Sequence, residues 1–316
     1  FTDNRLTAVV QTDIFTRRFL VTKDSSLLEW LALGIFRQVF GLHRKEADKN
    51  VLLDIDLERI QWVYQFAVCT DKDKVYQKTL QSVIDQYPSV PAASTAWYLL
   101  AQKEMEKASG YSASGDTANR YGYIKAKRII EKALPLFAKN NSGTANMQNL
   151  LIQINTKQLR TETERVNVPY KPFRALVTYR NIDTLFGRII SIDKNDSVRN
   201  NAGGQDYWKK LSRLAAERSF TQALPLTDDQ QTHSTEIKID GLPVGEYALL
   251  SSSGLGFTDT LHKMCVQFFY VSNISYIKTK NDFFVLNRET GKPMPGVKVM
   301  ILKQQYINRL NKYIDD

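Results

Sequence analysis

The sequence predicts a multidomain α plus β protein, in which an N-terminal helical domain is followed by antiparallel β-sandwich domains. Three observations carry that expectation. Apolar residues recur at helical spacing through the first half of the chain. Near Val166 the period changes from 3.6 to 2, as strands require. Beyond that point, turn-rich stretches such as Thr290-Gly291-Lys292-Pro293 separate short β-branched and aromatic runs. The expected domains are residues 1–165, helical hairpins; 166–270, a first sandwich with a helical insertion near 205–222; and 271–316, the beginning of a second β domain.

The helical region can be taken in order. Ser25 and Ser26 can cap a helix over Leu27–Phe40, with Leu27, Trp30, Leu31 and Ile35 on one face. Asp56 is expected to cap a second, in which Ile60, Val63 and Phe66 or Ala67 return at helical spacing. A stripe of Tyr76, Leu80, Val83, Ile84 and Tyr87 then ends at Pro88. Fifty residues on, Ala126, Ile130, Ala133, Leu134 and Phe137 occupy the same register. Each stripe precedes a turn and another helix, where Ala96, Leu99 and Leu100 answer to Met147, Leu150 and Leu151. Such a pair of hairpins buries its apolar faces only by stacking. The phrase YPSVPAASTAWYLLAQ resembles the hairpins of tetratricopeptide-like proteins, whose period is shorter, at roughly 34 residues. The polar stretch Gly110–Tyr121 can hold the excess as an exposed loop, and a plain helical bundle is the alternative.

In the β region, Phe173–Tyr179 and Arg188–Ile192 lack helical spacing, and residues 235–252 carry two strand-like runs around Asp240-Gly241-Leu242-Pro243. Tyr207–Phe220 is amphipathic, with Trp208, Leu211, Leu214 and Ala215 on one side, and is expected to be a helix laid on the sandwich. A further strand near Val266–Tyr270 leads to a hairpin expected between Phe283–Leu286 and the alternating Val297, Val299 and Ile301. A two-stranded ribbon cannot hide its apolar face by itself. Polypeptide beyond Asp316 is therefore expected to cover it.

Composition excludes some functions. The net charge of +10 is spread along the whole length, without an aromatic RNA-binding motif, zinc-finger spacing or Arg-rich tract, so no nucleic-acid partner is expected. The longest apolar stretch, Leu27–Phe36, is too short for a bilayer core of about 30 Å. Cys69 and Cys265 form neither a disulfide framework nor a metal spacing. His43 and His233 stand alone, and His262 with Cys265 cannot close a coordination sphere. Pro293 removes the amide that a phosphate cradle after Gly291-Lys292 would need. Gly110–Ser114 misses the nucleophile-elbow pattern, and Gly254-Leu255-Gly256 is a lone glycine pair. No catalytic, cofactor-binding or metal-binding residue is assigned, no cofactor is expected, and the chain is expected not to be an enzyme.

Three stretches carry a family resemblance. YKPFRALVTYRNIDTLFGRIISID (170–193), IDGLPVGEYALL (239–250) and VLNRETGKPMPGVKVMIL (285–302) resemble the N-terminal part of large bacterial alpha-2-macroglobulin family proteins of the Bacteroidetes kind. The first is similar to the start of the family's first macroglobulin-like domain, and the third to the Thr-Gly-Lys-Pro hairpin of its second. The resemblance implies a periplasmic or cell-surface protein, often lipid-anchored outside the present residues. It also implies a bait segment cut by a protease and, in many members, a Cys-x-Glu-Gln thioester. Cys69-Thr-Asp-Lys and Cys265-Val-Gln-Phe lack that motif. The function so implied is a non-enzymatic structural or interaction region of a protease-trapping protein. Its partners would be downstream macroglobulin-like domains, with proteases or envelope proteins besides. The alternative is a helical-repeat protein-binding module carrying sandwich domains as spacers.

Overall fold

The computed structural model describes residues 15, 28–68, 70–138, 141–192, 205–257, 262–280, 282–300, 304–307 and 312–315. The chain is mixed α and β, and it divides into two compact units: Phe1–Lys157 with Leu226–His233, and Gln158–Pro225 with Ser234–Asp316.

The first unit is helical: α1 (Leu28–His43), α2 (Lys49–Phe66), α3 (Lys72–Gln86), α4 (Ala93–Ser109), α5 (Gly122–Ala133) and α6 (Ser142–Asn155). Local chemistry sets several boundaries. The Asp48 carboxylate accepts from the Asn50 amide at 2.8 Å and caps α2, while Asn141 accepts from the Thr144 amide at 2.7 Å and caps α6. Tyr87 precedes Pro88 and cannot easily stay helical, so α3 stops there. Pro135 falls in a 3₁₀ turn, Leu134–Leu136, that closes α5.

The two stripes spaced by fifty residues face one core. Tyr76, Leu80, Val83 and Ile84 of α3 share a buried cluster with Ala126, Ile130 and Ala133 of α5, with Ala96 and Leu99 of α4, and with Met147 and Leu150 of α6. The second helices of the two hairpins approach closely. A Cβ on Gly143 would stand 2.3 Å from Ser94 Oγ and 2.6 Å from the Thr95 nitrogen, so glycine is required at that crossing.

Two helical expectations need correction. α1 buries Leu33 and Phe40 against Val63, Ala67 and Phe15, whereas Leu31 and Ile35 are exposed. The sequence is apolar on both sides of this helix, so periodicity could not select the buried face. Asp56 is no cap, because α2 begins seven residues earlier and Asp56 lies buried in its middle. The cap signal was overridden by Asp48.

The second unit is built of strands: β1 (Gln158–Thr163), β2 (Val166–Asn167), β3 (Phe173–Arg180), β4 (Thr184–Ser191), β5 (Arg218–Ala223), β6 (His233–Ile239), β7 (Gly245–Ser252), β8 (Met264–Val271), β9 (Ile274–Thr279), β10 (Asp282–Asn287), β11 (Gln304–Ile307) and β12 (Lys312–Asp315), with one helix among the described residues, α7 (Gln205–Arg213). A three-stranded sheet has the order β1-β3-β6, and a five-stranded sheet the order β2-β8-β7-β4-β5. Alternate residues meet between them: Ala175, Val177 and Tyr179 with Ile237 and Ile239 pack on Leu185, Ile189, Leu249, Phe269 and Val271. The opposite face of the larger sheet carries Ile190, Ala248 and Leu250 under Tyr207 and Leu211 of α7. Strand β7 is thus buried from both sides, which accounts for its unbroken run Tyr247–Ser252.

Three β-region details depart from expectation. Strand period begins at Gln158, not Val166, because β1 is an edge strand whose Arg and Glu side chains mask its alternation. The helical insertion ends at Arg213, and residues 218–223 instead pair with β4. Gly187 leaves room there for the Phe220 ring, which a Cβ would meet at 2.1 Å, and Arg188 donates to the Ser212 and Leu214 carbonyls at the end of α7, at 2.6 and 2.7 Å. Finally, β10 pairs with β9 along one edge, in the register Phe284↔Ile277 and Val285↔Tyr276. The chain returns onto its other edge at Lys292–Met294, ahead of the expected residues 297–300: the Asn287 amide donates to the Lys292 carbonyl at 2.8 Å and the Met294 amide to the Val285 carbonyl at 3.0 Å. Residues 287–294 fold back tightly, with an isolated bridge Leu286↔Pro293 and Gly291 at φ +67°. Val297–Met300 is irregular, and Ile301 lies outside the described residues.

Candidate functional site

The residues that the sequence singled out fall in separate places. His43 Nδ1, at the last residue of α1, lies 2.8 Å from Glu46 Oε1 on the surface. The Cys265 thiol lies on β8, 3.4 Å from Thr161 Oγ1, and burial pushes it above its usual value although Thr161 and Ser251 pull the other way. Such a thiol is a poor nucleophile at neutral pH. Cys69 lies outside the described residues. Gly110–Ser114 is part of a loop closed by the Ser112 amide on the Asp116 carbonyl at 2.9 Å. Among the described residues, no group of three or more His, Cys, Asp or Glu is placed to hold a metal ion. No described helix is long and apolar enough to cross a membrane.

The His262 ring lies against Gly254, where a Cβ would meet it at 2.0 Å. His233 belongs to a cluster that sequence reasoning missed. Asp229, fully buried, accepts from Arg120 Nε at 2.7 Å and the Gln231 amide at 3.0 Å, and lies 2.8 Å from His233 Nε2. Gln231 Nε2 in turn donates to the Ala108 and Arg120 carbonyls, both at 3.1 Å. Residues 226–233 are thereby pinned to the end of α4 and the loop before α5, within the helical unit. Arg120 is over a hundred residues away in sequence, so no local pattern could have signalled the pairing. Burial works to raise the Asp229 carboxyl, but the bonds from His233, the Gln231 amide and Arg120 outweigh it and hold it below the usual carboxylate range. A depressed folded value means that Asp229 stabilises the fold above about pH 4, and that this contribution is lost as pH falls through the folded value. Between pH 7 and pH 3 the thermal midpoint should therefore fall further for the natural protein than for Asp229→Asn. Asp229→Ala, which takes the acceptor from the buried Gln231 amide, should cost about 1–3 kcal/mol in denaturant titration.

Two surfaces have the chemistry of interaction sites. The first is the β9–β10 ribbon. Ile277 and Phe284 stand opposite each other across the strands, each 55% exposed, and Tyr276, 65% exposed, lies opposite Val285. Both faces of the ribbon thus show apolar side chains to solvent. The second lies on the helical unit, where Lys78 of α3 and Lys125 and Arg128 of α5 surround Leu100 and Ile129. Lys78 and Arg128 are related by the fifty-residue spacing of the two stripes. None of these three side chains has an ion pair among the described residues, while the nearby Glu104 is held by Lys107 at 2.8 Å and Gln77 at 3.0 Å.

Fold and surfaces together define an α plus β chain of stacked helices and packed β-sheets, with an uncovered apolar ribbon and an uncompensated basic groove. No family model matches the chain, and no curated protein matches it.

Proposed function

We propose that this chain is a non-enzymatic structural and interaction region of a large alpha-2-macroglobulin-like protein of the cell envelope. The two packed sheets would form its first macroglobulin-like domain, and the helical hairpins a tetratricopeptide-like unit ahead of it. The observation that carries the reading is the β9–β10 ribbon, whose Tyr276, Ile277 and Phe284 are exposed directly before the Thr290-Gly291-Lys292-Pro293 turn. A following macroglobulin-like domain would bury them, and the sandwich would act as a rigid wall in a protease-trapping cage, with bait and any thioester elsewhere. The test is to extend the chain past Asp316 by the polypeptide that follows it in the full-length protein. The expected result is a higher thermal midpoint and new hydrogen-exchange protection over residues 274–287. An unchanged midpoint with an unprotected ribbon would refute the proposal.

The basic groove favours a second reading, a helical module that grips acidic polypeptide and carries the sandwich as a spacer. A fluorescent oligo-glutamate peptide should then bind the chain, and Lys78→Glu with Arg128→Glu should abolish binding without altering the circular dichroism. Absence of binding at low salt leaves the purely architectural role.

A further inference from the structure

A pocket of about 360 Å³ opens between α1, the first two turns of α2 and the end of α3. That size is at the lower end of small-molecule sites. Its floor is apolar: Phe40 and Leu53 are buried there, with Leu52 beside them and the half-buried Tyr87 closing one side. Three cations, Arg37, Arg44 and Lys49, lie around it. The lone acid in its lining, Asp56, is already committed, because its Oδ1 accepts from Arg59 Nε at 3.0 Å and from Nη2 at 2.5 Å. Positive charge in the pocket therefore exceeds negative charge.

The remaining polar groups are donors. Arg37 is held in place by donating from Nη2 to the Phe15 carbonyl at 3.1 Å. Arg44 and Lys49 are exposed and have no ion pair among the described residues. The Tyr87 hydroxyl stays protonated, since burial and the nearby Asp56 charge both push it above its ordinary value. The placement of Lys49 runs against local preference. It is the first residue of α2, where the helix dipole already contributes positive potential and acidic residues are favoured. A sequence that breaks a local rule without a structural gain marks a site where another requirement has been met.

We infer that this pocket binds an amphiphilic anion, a carboxylate or similar oxyanion attached to an apolar body of medium-chain length. The head group would sit at the rim between Arg44 and Lys49, within reach of Arg37 and the Tyr87 hydroxyl. The apolar body would lie on Phe40 and Leu52. This inference is independent of the proposed architectural role, for it concerns α1 and α2 and makes no use of the sheets.

Calorimetric titration of the full chain with octanoate tests it. Saturable one-to-one binding is expected, with octan-1-ol and inorganic phosphate each weaker by about tenfold or more, since neither supplies both halves of the ligand. Arg44→Glu combined with Lys49→Glu should weaken octanoate by about tenfold or more and flatten its salt dependence. The thermal midpoint should stay unchanged or rise, because an acid at the first position of α2 suits the helix dipole. Unaltered octanoate affinity in that variant would overturn the inference, as would octan-1-ol binding equally well, which would mean a merely apolar cavity. Phosphate binding equally well would also overturn it, by reducing the site to a patch of positive charge.

Discussion

Replacing Asp56 by Ala is expected to destabilise the helical unit by about 3–5 kcal/mol, read from denaturant unfolding followed by far-UV circular dichroism. Arg59 has no exposed surface, and its guanidinium stands 4.5 Å from the centre of the Phe15 ring. Burial pushes that guanidinium below its ordinary value, and the contact with Asp56 pulls it back. Without the carboxylate, a full positive charge is left in an apolar layer between α2 and Phe15, and a guanidinium cannot readily shed its proton. The pair is still no net stabiliser by default, because both ions lost their hydration on folding. Asp56→Leu with Arg59→Met should accordingly recover most of the loss. If the single variant cost no more than a surface change, water must reach Arg59 by a path that its buried position does not suggest.

The same residue shows what a sequence conveys and what it withholds. Asp56 has the chemistry of a helix cap, and propensity alone assigns it that role. Whether a carboxylate caps or pairs depends on a cation three residues on and on a phenylalanine forty-one residues back, which only packing brings together. By contrast, the stripes Tyr76–Ile84 and Ala126–Ala133 were legible, because stacking helices must repeat their apolar positions to share a core. The central strands β3, β4, β7 and β8 were legible, and so was the edge strand β6, whose Ile237 and Ile239 alternate plainly. β1 was not, since this edge strand hides its inward residues among charges, as Arg160 and Glu162 do beside Thr161. The ribbon shows the limit of motif reading. The Thr-Gly-Lys-Pro turn marks a reversal correctly, and Lys292–Met294 does return onto Phe283–Leu286, yet the main ladder of that strand is formed on its other edge with Ile274–Thr279, a segment that no motif marked. The interaction surfaces were the least legible, because the pairing of Lys78 with Arg128 on one groove, or of Arg44 with Lys49 on one rim, depends on how helices cross.

Leu80→Ala and Ile130→Ala provide the sharpest test of that shared core. Each side chain has no exposed surface and stands at the same register of its stripe. Deleting the buried atoms should cost about 2–5 kcal/mol in either case, as transfer free energy plus the cavity left behind. Because both lie in one cluster, either substitution should lower the stability of all four helices α3–α6 together, in a single cooperative transition. Hydrogen exchange would show this as equal loss of protection in α3 and α5 whichever residue is changed. Independent hairpins would behave differently. Leu80→Ala would then release α3 and α4 while α5 and α6 kept their protection, and the groove bearing Lys78 and Arg128 would have no fixed geometry to offer an acidic segment. A common loss of protection, whichever residue is changed, would mean that the fifty-residue spacing specifies one rigid body.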